Sequence, residues 1–105
     1  MKTYAVRVSP RAMRNLLDLH AFIAEDSRDE ADQWLDRLLD RAFSLAAFPL
    51  RAPMAPESPL GRVRVRHLID GNYRILFCVR GKHVVILGVR HAARRPNRKA
   101  LKPHD

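Results

Sequence analysis

The sequence predicts an α+β fold of order β-α-α-β-β-β, in which a helical hairpin packs on an antiparallel sheet. Three observations lead there. Two stretches between residues 10 and 47 repeat apolar side chains every three or four positions, the period of an amphipathic helix. Three later runs, 63–69, 73–80 and 84–90, are strand-like and separated by turn-forming residues, the pattern of a β meander. Pro49, Pro53, Pro56 and Pro59 lie between the two halves and forbid regular helix or sheet there.

Each element has its own local cause. Residues 3–8 alternate and carry strand formers, and Ser9-Pro10 then reads as an N-cap followed by proline at the first helical position. From Pro10 to about Asp26, Met13, Leu16, Leu17, His20, Ile23 and Ala24 make one apolar stripe, with His20 packing or bonding locally. Ser27 and Glu30 have capping-box spacing, so a second helix starts there and runs to about Ala47 on Ala31, Trp34, Leu35, Leu38, Leu39 and Ala42. Asp70-Gly71-Asn72 and Gly81-Lys82 are hairpin turns. The helices are expected to cover one sheet face and leave the other available. In the central strand, Tyr73, Ile75, Phe77 and Val79 point one way and Arg74, Leu76, Cys78 and Arg80 the other.

With 105 residues the chain reads as one domain, residues 1–105, with a basic tail from about residue 92 that a partner orders. Charge is segregated. Residues 1–60 hold eight Lys/Arg against nine Asp/Glu, whereas residues 61–105 hold twelve against two, which gives the net +9. Clustered arginine attracts phosphate and carboxylate, so the partners are expected to be nucleic acid, an acidic protein, or both. With no apolar run near the roughly 20 residues of a membrane span and no leader pattern, a soluble cytoplasmic protein is expected. Cys78 sits inside an apolar strand and reads as a small core residue. Five histidines and one cysteine show no short ligand spacing, so neither a metal nor any other cofactor is expected.

The candidate binding residues are the arginines of the basic half. Arg62, Arg64 and Arg66 alternate along the first meander strand, Arg74 lies in the second, Arg90 closes the third, and Arg94 and Arg95 follow it. Several of these guanidiniums are expected to converge on the sheet surface away from the helices. His91, after the last strand, is either a proton-transfer group or a polar residue ending a strand.

The order of short motifs resembles the RelE/ParE superfamily of small basic toxins from bacterial type II toxin–antitoxin pairs. The residues that carry the likeness are Tyr4-Ala-Val-Arg-Val-Ser9-Pro10 with Ala12 and Leu16, Leu45-Ala-Ala-Phe48-Pro49, Arg66-His-Leu, Gly71-Asn-Tyr73-Arg74-Ile-Leu-Phe77, and Val85-Ile86-Leu87-Gly-Val89-Arg-His91. The resemblance implies a separately encoded acidic antitoxin, a toxin–antitoxin hetero-oligomer, and one of two targets. ParE-like members inhibit DNA gyrase, and in that case Arg74, Arg90, Arg94 and Arg95 bind and no chemistry occurs. RelE- and YoeB-like members cleave mRNA on the ribosome without a metal. In that case Glu57 is the general base toward the 2′-hydroxyl, Arg74 holds the scissile phosphate and His91 is the general acid. Two departures favour the gyrase reading: Ala92 follows His91 where YoeB-like members have an aromatic residue, and no tyrosine follows Tyr73 where RelE-like members place one. A third reading is an inactive module whose basic sheet only binds the antitoxin.

Overall fold

The computed structural model describes residues 3–58 and 63–93. Along the chain these form β1 (Ala5–Val8), α1 (Pro10–Ala24), α2 (Arg28–Phe43), β2 (Arg66–Asp70), β3 (Tyr73–Arg80) and β4 (His83–His91), with single 3₁₀ turns at Ser44–Ala46 and Pro49–Arg51. Arg62, Arg94 and Arg95 lie outside the described residues.

The helix starts follow their caps. The Ser9 hydroxyl accepts from the Ala12 N–H at 3.1 Å, and Pro10, which has no N–H to leave unpaired, opens α1. Ser27 accepts from the Glu30 N–H at 3.2 Å, while its own N–H goes to the Ile23 carbonyl, so the predicted capping box forms in only one direction. Asp29 and Glu30 in the first turn and Arg41 in the last suit the dipole of α2. Across the helical hairpin, His20 on α1 bonds Asp32 on α2 at 2.7 Å.

The sheet has the order β1-β4-β3-β2. It is mixed rather than antiparallel, as was expected from the meander alone. β2, β3 and β4 form that meander, but β4 also takes β1 as a parallel neighbour, Ala5 opposite His83 through Val8 opposite Ile86. Parallel pairing is open to β1 because the two helices carry the chain across the sheet before it returns. β1 begins at Ala5, two residues later than expected, because Thr3 and Tyr4 pair with Ala47 and Ala46 at the end of the helical hairpin.

Between Arg80 and His83, and again between Asp70 and Tyr73, two-residue turns open with a glycine at φ 59° (Gly81) and 57° (Gly71). A positive φ at the first central position is the arrangement that matches strand twist in tight hairpins. Opposite Leu76 and Phe77, β4 carries one extra residue: Gly88 faces Leu76 and Ile86 faces Phe77, which leaves Leu87 unpaired. α1 is pinned at this bulge, where Asn15 accepts from the Val89 N–H at 3.1 Å, and a Cβ on Gly88 would sit only 3.1 Å from the same Asn15 oxygen.

Both sheet faces are packed. The helix side buries Ile75, Phe77, Val84 and Ile86 against Leu16, Trp34, Leu38 and Leu45. α1 meets this core through Ala12, Leu16, Leu19 and Ile23, so Met13 and Leu17, expected on the apolar stripe, are 44% and 56% exposed. Each lies one position, hence about 100° of rotation, from a buried neighbour. The far side, expected to be available, buries Leu76, Cys78, Val85 and Leu87 beneath Ala55 of the proline-rich segment and Val65 just before β2. That connection is therefore a lid on the sheet rather than a simple linker.

A Gly81→Ala substitution meets no neighbouring atom within 4 Å and differs from the parent only in backbone strain. It is expected to lower stability by about 1 kcal/mol, read as a reduced urea midpoint at unchanged m-value.

Candidate functional site

The lid over the far face is built from backbone bonds that two prolines leave incomplete. Pro53 offers its carbonyl to the His67 N–H at 3.1 Å, the Ala55 N–H donates to the Val65 carbonyl at 2.8 Å, and the Ser58 hydroxyl accepts from the Val65 N–H at 3.0 Å. These bonds also explain why β2 begins at Arg66 and not at residue 63: Val65 spends both backbone groups on the lid. The Glu57 carboxylate is thereby carried down onto the sheet.

There it meets Arg74. Arg74 Nη1 donates to Oε1 at 3.1 Å and Nη2 donates to Oε2 at 2.8 Å, a bidentate fork, with Glu57 3% and Arg74 5% exposed. Arg90 Nη1 stands 3.7 Å from Oε2 and adds charge at ion-pair rather than hydrogen-bond distance. Arg74 Nη1 also lies 3.1 Å from His67 Nδ1. Because a guanidinium only donates, Nδ1 must accept, which puts the His67 proton on Nε2.

The electrostatics follow from this packing. Burial by itself pushes the Glu57 carboxyl up, but the Arg74 hydrogen bonds, a backbone N–H and the charges of Arg74 and Arg90 outweigh it and hold the group below its ordinary range. Burial and the Arg74 charge lower His67, against a smaller opposing pull from Glu57. The cluster is thus a carboxylate, two guanidiniums and a neutral imidazole.

His91 is elsewhere. Before the bulge Val84 and Ile86 face the helices; after it Val89 and His91 do, and Arg90 turns to the Glu57 side. His91 pairs with Tyr73 and meets its ring edge-on at 5.3 Å, and Tyr73 in turn lies 5.2 Å from the Trp34 ring. With Asn15, Asp18, Phe22, Val89 and Arg90 it lines a cleft of about 600 Å³ between α1 and the end of β4. Glu57 and Arg74 are therefore brought together, and His91 sits across the sheet from them.

The other sequence candidates divide similarly. Arg66 pairs with Phe77 and so belongs to the helix side, where it donates to the Ala52 carbonyl at 2.7 Å and braces the start of the lid. It does not join Arg74 and Arg90, contrary to the expectation of one convergent face, because the register that sets it opposite Phe77 gives the far face to His67. Arg64 is exposed ahead of β2. His67, which the sequence offered as a rejected metal ligand and within the Arg66-His-Leu motif, is a member of the cluster, because pairing with Leu76 puts it on the Arg74 face. Among the described residues no three His, Cys, Asp or Glu side chains are grouped to hold a metal.

Glu57→Ala leaves two guanidiniums without their buried counter-charge and is expected to cost about 3–5 kcal/mol. The pH dependence has one sign throughout. A lowered His67 pKa means the unfolded chain binds more protons as pH falls below 6.5, and a lowered Glu57 pKa means the same below 4.5. Stability should therefore fall in two steps on acidification, the first below pH 6.5 and the second below 4.5. Urea midpoints of the Glu57→Ala variant should lack the second step.

Three comparisons place this geometry among known proteins. The family model for the ParE toxin of type II toxin–antitoxin systems, parDE, matches residues 6–96. A chain of the chromosomal ParDE toxin–antitoxin system from P. aeruginosa is similar in structure with a TM-score of 0.69 at 16% identity, over 87% of this chain and 98% of that one. The toxin–antitoxin complex RelBE2 from Mycobacterium tuberculosis contains a chain with a TM-score of 0.62 at 29% identity, over 90% of this chain and 97% of that one. No curated protein matches the sequence. The two structures share the pair of helices on a four-stranded mixed sheet, and the match over residues 6–96 identifies the chain: it belongs to the ParE toxin family, as the toxin of a type II toxin–antitoxin system.

Proposed function

We propose that this toxin arrests growth by binding DNA gyrase without chemistry of its own, and that a separately encoded acidic antitoxin neutralises it. The observation that carries the proposal is the division of the nuclease candidates. A general base must reach the proton it abstracts, and Glu57 has both oxygens engaged by Arg74 beneath the lid. The acid that would protonate a leaving oxygen, His91, is on the opposite face of the sheet. A single phosphodiester does not reach both groups.

The antitoxin half of the proposal draws on the two structural relatives, which come from a ParDE system and a RelBE2 toxin–antitoxin complex. The apolar residues exposed on the helical hairpin, among them Met13, Leu17 and Phe22, are suited to a partner segment that buries them.

The deciding experiment is induction of the chain without an antitoxin, with plasmid supercoiling and mRNA 5′ ends followed together. Relaxed plasmid or gyrase-linked DNA breaks with intact mRNA is the expected result. His91→Ala should then change growth inhibition by less than about threefold, whereas loss of a general acid costs on the order of 100-fold or more. New cuts within translated codons that disappear in His91→Ala would overturn the proposal in favour of mRNA cleavage.

A further inference from the structure

A second cationic cluster lies on the same sheet face as Glu57, at the β1 and Gly81-Lys82 end. Arg7 of β1, Arg80 of β3 and His83 of β4 line a recess of about 420 Å³ floored by Val85. The register gathers them: Arg7 and Cys78 both stand opposite Val85, and Arg80 stands opposite His83. Three strands thus deliver side chains from both sides of β4. All three are exposed, and Lys82 in the adjoining turn is exposed beside them.

This cluster differs from the Glu57 site in one decisive respect. Among the described residues no carboxylate lies within ion-pair distance of Arg7, Arg80 or His83. The described acidic residues are on or between the helices, at Glu57, and at Asp70 by the other hairpin turn. The two guanidiniums also act on a common point: burial raises the Cys78 thiol beneath them, and the charges of Arg80 and Arg7 both oppose that rise.

We infer that Arg7, Arg80 and His83 form a binding site for the phosphodiester backbone of nucleic acid. Guanidinium forks match phosphate oxygens, and two of them flanking an imidazole supply donors from three directions. Among the described residues the only apolar one lining the recess is Val85, which is 1% exposed. A protein partner would be expected to seat an aromatic or aliphatic anchor, and among the described residues no large apolar side chain lines the recess to pack against one. Among the described residues no Phe, Tyr or Trp lines it and the His83 imidazole is its one ring, so its donors engage the backbone rather than a run of stacked bases. The inference is independent of the toxin's target, because it concerns a different part of the sheet from the Glu57 cluster and from the His91 cleft.

The test is the binding of the full-length chain to a fluorescent 20-base-pair DNA duplex, and to an RNA stem-loop of similar length, across a salt series. Arg7→Ser with Arg80→Ser is expected to weaken binding to one or both at least about tenfold, and on the duplex to reduce the slope of log affinity against log salt by about 2, or 0.9 for each lost phosphate contact. Arg28→Ser with Arg37→Ser, which removes the same charge from the exposed face of α2, is the control and should have a much smaller effect. Equal loss in the two double variants would overturn the site by reducing it to net charge. A polyglutamate peptide that competes as well as the duplex would also overturn it, in favour of an acidic protein. A measurement that needs no variant is the amide shift map of the parent chain on adding duplex: changes centred on Arg7, Arg80 and His83 support the site, and changes confined elsewhere overturn it.

Discussion

The buried ion pair between Glu57 and Arg74 is the constraint on which the rest of the far sheet face depends. A charge taken out of water is tolerated only when its partner and its hydrogen bonds come with it. Arg74 is placed on the far face of the interior strand β3 by strand alternation, so its guanidinium must be met there, and a segment crossing that face brings the carboxylate to it. The proline-rich lid does so. Its backbone bonds to Val65 and His67 fix the height of the segment, and Ala55, small enough to pack flat, buries against the far face without lifting the carboxylate away. The same closure seals Leu76, Cys78, Val85 and Leu87.

This arrangement separates two uses of positive charge. Arg74 and Arg90 both lie within ion-pair distance of an internal anion, the Glu57 carboxylate. Arg7 and Arg80, at the other hairpin end, have no carboxylate within ion-pair distance among the described residues. A net charge of +9 is therefore not a uniform property of the surface. Part of it is neutralised under the lid, and the acidic residues of the helices balance another part on the opposite side of the molecule.

Much of the fold was legible in the sequence because it rests on local physics. The caps at Ser9 and Ser27, the period of the helices, the glycines of the two hairpins and the alternation of Tyr73 to Arg80 each express a rule that acts over a few residues, and each element formed where its rule applied. Where the reading differed, longer-range pairing was responsible. β1 joined β4 in parallel, β2 gave up its first residues to the lid, and α1 turned Met13 and Leu17 outward because Leu16 and Ile23 made the better fit to the core.

The candidate site depended on a feature that composition and periodicity do not encode. Sequence determined which residue types were present and that Arg74 and Arg80 share a face, since side chains on one strand alternate with a fixed period. It could not determine on which side Arg90 and His91 would fall, because a single extra residue in β4 reverses the parity of everything after it. With that bulge Arg90 joins Glu57 and His91 joins Tyr73 across the sheet; under unbroken alternation the two would exchange faces. The bulge in turn is fixed by partners far away in the chain, Leu76 and Phe77 on β3 and Asn15 on α1, and so only the tertiary structure could decide it.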